Sequence, residues 1–238
     1  MDRSGVPLAP TVASLHTDLR RGLDMLRRAG FRAVQLAASG ENGMRPRTMS
    51  ASEVRDVALT LRRQELQVAG LDLWIPPDHF TDQVHVDRAI AAVEAAADLL
   101  AQLPHGGRGA ISITLSDVLP HADIMQTLVA SAHAAGVRLA VLGPDPADLP
   151  TGCVPVIDPP DWLVRGWDPV AAASDPTSVP RLCDRVGGMR AAPAGDGELD
   201  VQAYRVTCEV ADSDRAVVAD LRGLPDAVAA LRAMQSAW

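Results

Sequence analysis

The stretch VPVIDPPDWLVRGWDP, residues 154–169, decides how this chain is read. Val154, Val156 and Ile157 form a short apolar run that ends on a carboxylate, Asp158. Pro159 and Pro160 follow and are expected to stop regular structure, because proline offers no backbone N–H. Trp162 and Trp167 come next, in a chain with only four tryptophans. A buried strand with a charge at its end, opening into a rigid aromatic loop, predicts the mouth of a site.

The pattern repeats on both sides of this stretch. Upstream, apolar runs at residues 6–15, 32–37, 67–74, 109–115 and 137–142 alternate with helical spacings at 17–28, 50–64, 84–103 and 120–135. Gly30 and Gly136 are placed to end helices. Ser50, with Glu53 three residues on, predicts a capping box. Downstream, residues 185–191 read as a seventh strand, residues 215–221 as an eighth and residues 225–235 as a closing helix with Pro225 in its first turn. Strands alternating with helices predict parallel βαβ units. Eight strands in 238 residues predict one (β/α)₈ TIM barrel domain over residues 1–238, since such a barrel takes about 250 residues. Only residues 143–153 separate the fifth and sixth strands, and Pro144, Pro146 and Pro150 leave room for one helical turn. The fifth helix is therefore expected to be short or missing.

Composition bounds the function. Hydrophobic residues make up 47% and aromatics 3%, so the core must be built from Ala, Val and Leu. Thirty acids against 22 bases give a net charge of −8, which disfavours nucleic acid as a partner. Cys153, Cys183 and Cys208 lack CxxC spacing and predict reduced thiols in a cytoplasmic protein. The N-terminal stretch lacks a signal-peptide core, and no run reaches the ~20 apolar residues of a membrane span.

Three segments together resemble the xylose isomerase-like TIM barrels, the sugar phosphate isomerases and epimerases. LRRAGFRAVQL (26–36) resembles the first helix and second strand of that family. IDPPDWLVRGWDP (157–169) is similar to its sixth-strand segment, which usually reads Asp-Pro-Gly-His and then Gly-x-Asp-Pro. AGDGELDVQAY (194–204) with RAVVADLRG (215–223) is similar to its closing segment and eighth strand. The resemblance implies an isomerase or epimerase that moves a proton next to a carbonyl, with a sugar-like small molecule as ligand. It also implies one divalent metal, Mn or Mg, at the barrel mouth, held by Glu, Asp, His and Glu.

This chain departs from that ligand set. Asp158 and Asp220 match two positions. The other two fall near Leu142 or Gly143 and near Gly188, where no side chain binds metal. Asp161 replaces the usual His and offers a third carboxylate, and Arg190 matches a position that is often Lys. The metal site is degenerate, and the metal is expected to be held weakly or not at all. Asp72 and His79, after the third strand, are the acid–base candidates; Asp72 equally suits a loop cap. Trp74, Trp162, Trp167 and Arg190 are candidates for contacting substrate; for the tryptophans the alternative is loop packing. The remaining histidines have no metal-ligand spacing, unlike the His-rich zinc cluster of the DNA-repair endonucleases that share this fold. Gly40, Gly43 and Arg45 either cradle a phosphate or form a plain turn. Two functional classes follow: an isomerase or epimerase, or a non-catalytic barrel (a pseudoenzyme) that binds a sugar-like ligand or a protein partner.

Overall fold

The computed structural model describes residues 5–212 and 214–238; residues 1–4 of the N-terminal stretch lie outside them. Eight parallel strands are arranged in the order β1 (Leu8–Pro10), β10 (Val217–Ala219), β7 (Val179–Leu182), β6 (Cys153–Ile157), β5 (Arg138–Leu142), β4 (Ala110–Thr114), β3 (Gln67–Asp72) and β2 (Ala33–Ala37). A parallel bridge between Thr11 and Gln35 joins the two outermost strands and closes the sheet into a barrel. The remaining strands, β8 (Asp184–Val186) and β9 (Met189–Ala191), form an antiparallel hairpin at the mouth.

The helices pack outside, where α1 (Leu19–Arg28), α2 (Ala51–Arg63), α3 (Val86–Gln102) and α4 (Ala122–Ala134) follow the first four strands. Their starts obey local capping chemistry. The Asp18 carboxylate accepts from the Arg21 N–H, and Ser50 and Glu53 form the expected capping box. Between β5 and β6 there is only a single turn, Pro146–Asp148, so the fifth helix is missing as the prolines predict.

Five features differ from the sequence expectations. Pro159 and Pro160 do not end regular structure; they open α5 (Pro159–Val164). The first N–H groups of a helix have no intrahelical partner, so two prolines there cost no hydrogen bond. The seventh barrel strand is β7, and residues 185–191 form the hairpin instead, turning at Gly187 and Gly188 with φ of 55° and 84°. A helix, α7 (Val201–Ala211), follows Asp200, whose carboxylate accepts from the Ala203 N–H. The closing helix α8 (Ala227–Ala237) is capped by Asp226, which puts Pro225 just before it. After β6, a further short helix α6 (Pro169–Ala172) is capped by Asp168.

Strand side chains alternate between barrel interior and helix layer. Leu71, Ile111, Ile113, Leu139, Val141, Ile157, Leu182 and Val217 join the large outer core under the helices. Ala110, Ala140, Leu142, Val156, Val179 and Val218 form a separate inner cluster with Trp74 and Val154. The same alternation turns Gln35, Asp72, Ser112, Asp158, Arg181 and Asp220 inward at the C-terminal end. All six are buried. Among the described residues no helix is long and apolar enough to cross a membrane, and all three cysteines are unpaired.

Candidate functional site at the barrel mouth

A buried carboxylate must be paired or must give up its charge. Three at the mouth, Asp72 ending β3, Asp158 after β6 and Asp220 after β10, each meet a guanidinium; a fourth, Asp184 in the hairpin, accepts instead from the backbone N–H groups of Arg185 and Leu199. Arg181, from the middle of β7, is fully buried. Its Nη2 donates to Asp72 Oδ1 at 2.5 Å, and its Nη1 reaches Asp72 Oδ2 at 3.3 Å and Asp220 Oδ2 at 3.1 Å. Arg190, from the hairpin, donates from Nη1 to Asp158 Oδ2 at 2.6 Å, and its Nη2 lies 3.1 Å from Asp220 Oδ2. Arg222 grips Asp220 from Nε, at 2.8 Å to Oδ1 and 2.9 Å to Oδ2, and its Nη2 lies 3.7 Å from Asp158. Three acids and three arginines leave the cluster electrically balanced.

The two carboxylates on either side of Arg190 are driven apart. Burial opposes ionisation of Asp220, but Arg222, Arg181 and Arg190 outweigh it and hold its carboxyl well below the usual range. Burial raises Asp158; Arg190 and Arg222 pull the other way, but the nearby charge of Asp220 adds to the rise. Asp158 Oδ1 is buried without a hydrogen-bond partner. Arg181 and Arg190 are likewise opposed by burial but held charged by the carboxylates, Asp72 and Asp220 for the first and Asp158 and Asp220 for the second.

These residues do not fit a divalent metal. The oxygens of Asp220 already accept from Arg181 and, on both sides, from Arg222, with Arg190 alongside, so few of a carboxylate's roughly four acceptor sites remain. Arg190 bridges Asp158 and Asp220 where a shared cation would have to lie. Among the described residues no group of three or more His, Cys, Asp or Glu is arranged to hold a metal ion. The fifth-strand position where the resemblance implies a further ligand is closed as well, and the other falls at Gly188, which has no side chain. Leu142 is buried in the inner cluster. At Gly143 a Cβ would lie 2.2 Å from the Leu115 carbonyl oxygen, so only glycine fits.

Beside the charge cluster a cavity of about 530 Å³ opens among the loops after β1, β2, β3 and β10. Thr11, His16, Gln35, Asn42, Trp74 and Arg222 line it. Trp74 is held in place: its backbone N–H donates to Ser39 Oγ at 2.8 Å, Arg222 stacks 4.0 Å from its ring centroid, and Arg181 lies 5.4 Å away. Gln35 donates to Asp72 at 2.7 Å, which orients that carboxylate toward Arg181.

Of the remaining candidates only Gly40 lines this cavity. His79 stacks on His85, with ring centroids 4.3 Å apart, and does not line this cavity. Asp161 pairs with Arg165 at 3.2 Å on α5. Trp162 is buried and donates from Nε1 to the Val156 carbonyl at 3.3 Å, with Trp167 edge-on at 5.3 Å. Gly40 lines the mouth cavity, while Gly43 allows a turn so tight that a Cβ there would lie 2.1 Å from the Ser39 carbonyl oxygen. Arg181, Arg222 and Gln35 are not singled out as site residues by the sequence. The signal for Arg181 was alternation: in VPRLC (179–183) Val179 and Arg181 share a face, which a strand at residues 185–191 conceals.

A closed parallel barrel with helices outside and charged side chains at its C-terminal mouth places the chain in the TIM-barrel class. Its fold is that of the xylose isomerase-like TIM barrels and the sugar phosphate isomerases and epimerases. The chain is similar to the IOLI protein solved with a zinc atom (TM-score 0.72, 12% identity, 97% of this chain and 96% of that one). It is similar to D-psicose 3-epimerase in the presence of D-fructose (TM-score 0.67, 10% identity, 97% and 96%). It is also similar to a xylose isomerase-like TIM barrel protein from Mycobacterium smegmatis in complex with magnesium (TM-score 0.63, 13% identity, 98% and 97%). No family model and no curated protein sequence matches the chain.

Proposed function

We propose that this chain is a non-catalytic barrel, a single domain over residues 1–238, that binds a small sugar-like ligand at its mouth without a divalent metal. One observation carries the reading: Arg190 bridges Asp158 and Asp220, the two acids that correspond to metal ligands. Arg181 occupies Asp72 in the same way, so the expected general base is already committed to an ion pair. The sugar-like ligand is supported by the hydroxyl, amide and imidazole groups around the Trp74 ring, and by the likeness to an epimerase seen with D-fructose. Free thiols at all three cysteines support a reducing, cytoplasmic setting.

Calorimetry with manganese chloride tests the reading. No binding is expected. Stoichiometric binding that Asp158→Asn abolishes would overturn it in favour of a metal-dependent isomerase. D-fructose is expected to quench tryptophan fluorescence saturably, and Trp74→Ala to remove that response. D-fructose incubated with the protein in deuterium oxide should gain no carbon-bound deuterium by NMR; exchange above the protein-free rate would restore the proton-transfer reading.

A further inference from the structure

The opposite end of the barrel has a different charge balance. A cavity of about 350 Å³ lies among the N-terminal ends of β2, β3, β5, β7 and β10. Small residues there, Ala33, Ala69 and Ala216 among them, leave the space. This follows from a chain that builds its core with few aromatics. Four guanidiniums line it: Arg32, Arg108, Arg138 and Arg215.

Two of the four have acids. Arg32 pairs with Glu65 at 3.1 Å, and Arg108 pairs with Asp212. Among the described residues the other two pair with no carboxylate. Arg138 donates to the carbonyls of Thr177 and Arg108, each at 2.8 Å. Arg215, which is buried, donates to the carbonyls of Asp175 (2.7 Å) and Ala173 and to Ser178 Oγ (3.3 Å). Carbonyl oxygens fix these groups in position but do not neutralise them. The Nε of each is buried with no hydrogen-bond partner. Burial and the positive charges of Arg108 and Arg215 disfavour the charged form of Arg138, with Asp175 acting against them. Asp214 also lines the cavity but is exposed. At the mouth every buried guanidinium is matched by a carboxylate; at the base two lack one, in a protein whose net charge is −8.

We propose that this base cavity is an oxyanion site, held by Arg138 and Arg215, for a phosphate group, either free or as a phosphomonoester. A phosphate carries about −1.5 to −2 charge at neutral pH, which matches two uncompensated guanidiniums better than a single carboxylate does. Its several oxygens suit two planar donors arriving from different strands. The site is separate from the mouth and does not depend on what the mouth binds.

The test is amide NMR of the whole chain titrated with sodium phosphate, with sodium chloride at equal ionic strength as control. Amide shifts are expected at Gly106, Arg108 and Ala216 with phosphate and not with chloride. Arg138→Gln is expected to weaken phosphate binding by about tenfold or more, since one charge-assisted contact is lost. D-fructose 6-phosphate separates the two sources: tighter binding than inorganic phosphate at the same amides assigns a phosphomonoester, and weaker binding assigns the free ion. Shifts confined to mouth residues such as Arg190 and Arg222, equal shifts with chloride, or no shifts at the base would each overturn the proposal. The wild-type mapping stands even if the variant does not fold.

Discussion

Replacing Arg181 by methionine should expose how the mouth is held together. Methionine keeps much of the length and apolar stem but removes the charge. Asp72 would lose contacts of 2.5 and 3.3 Å and keep only Gln35, at 2.7 Å. Asp220 would keep Arg222 and Arg190. The penalty therefore concentrates on one carboxylate. The side chains of Arg181 and Asp72 are 0% and 3% exposed, so water cannot take over the lost partner. Removing one member of a buried ion pair costs about 3–5 kcal/mol. An exposed pair such as Arg28–Asp24, at 80% and 50% exposure, contributes under about 1 kcal/mol. Loss of the Arg181–Trp74 contact at 5.4 Å adds a smaller term. In a chain of this size the loss corresponds to a fall in Tm of about 6–20 °C. Urea unfolding followed by circular dichroism, with an unchanged m-value, measures it. Adding Asp72→Leu should recover part of the loss, because no unpaired charge is then buried. A cost below about 1 kcal/mol for Arg181→Met would refute the argument that this pair is buried and committed.

Asp158→Asn should change how stability depends on pH. The folded carboxyl of Asp158 is raised, so between the unfolded value of about 3.9 and that raised value the folded state binds more protons, and stability falls as pH rises. The variant should lose that decline in urea midpoints taken from about pH 4 to about pH 7. Asp220 is the opposite case. Its folded value is depressed, so it contributes stability above the unfolded value that is lost as pH falls through the folded one. Gly197→Ala should destabilise the loop before α7 by about 1–3 kcal/mol, because its Cβ would lie 1.8 Å from Asp184 Oδ2. That carboxylate accepts from the N–H groups of Arg185 and Leu199 at 2.7 and 2.9 Å, and thermal unfolding would register the loss. Burial pushes the thiols of Cys153 and Cys183 up to about 11 and about 12, so both should react slowly with a thiol reagent at neutral pH until the protein is denatured. Rapid labelling of folded Cys183 would contradict its burial.

Much of the architecture was legible because it rests on local rules. Strand and helix periods, the Ser50–Glu53 box and the prolines between β5 and β6 act over a few residues, and the structure contains each of them. Misreadings arose where a residue type has two meanings. Pro159 and Pro160 stop a strand and also start a helix. The apolar residues at 185–191 suit a barrel strand and also a hairpin, and taking them as the barrel strand hid β7 and Arg181.

The carboxylates could be named from sequence because each ends an apolar run. Their partners could not. Arg181 meets Asp72 across 109 positions of chain, and Arg190 meets Asp158 across 32. By itself the sequence determined an alternating strand–helix chain, with Asp72, Asp158 and Asp220 at strand ends. The tertiary structure alone decided that arginines, rather than a metal's remaining ligands, face those acids. The physical reason is closure: inward positions on strands far apart in sequence converge on one axis, and which charges meet there depends on register and on which segment becomes each strand.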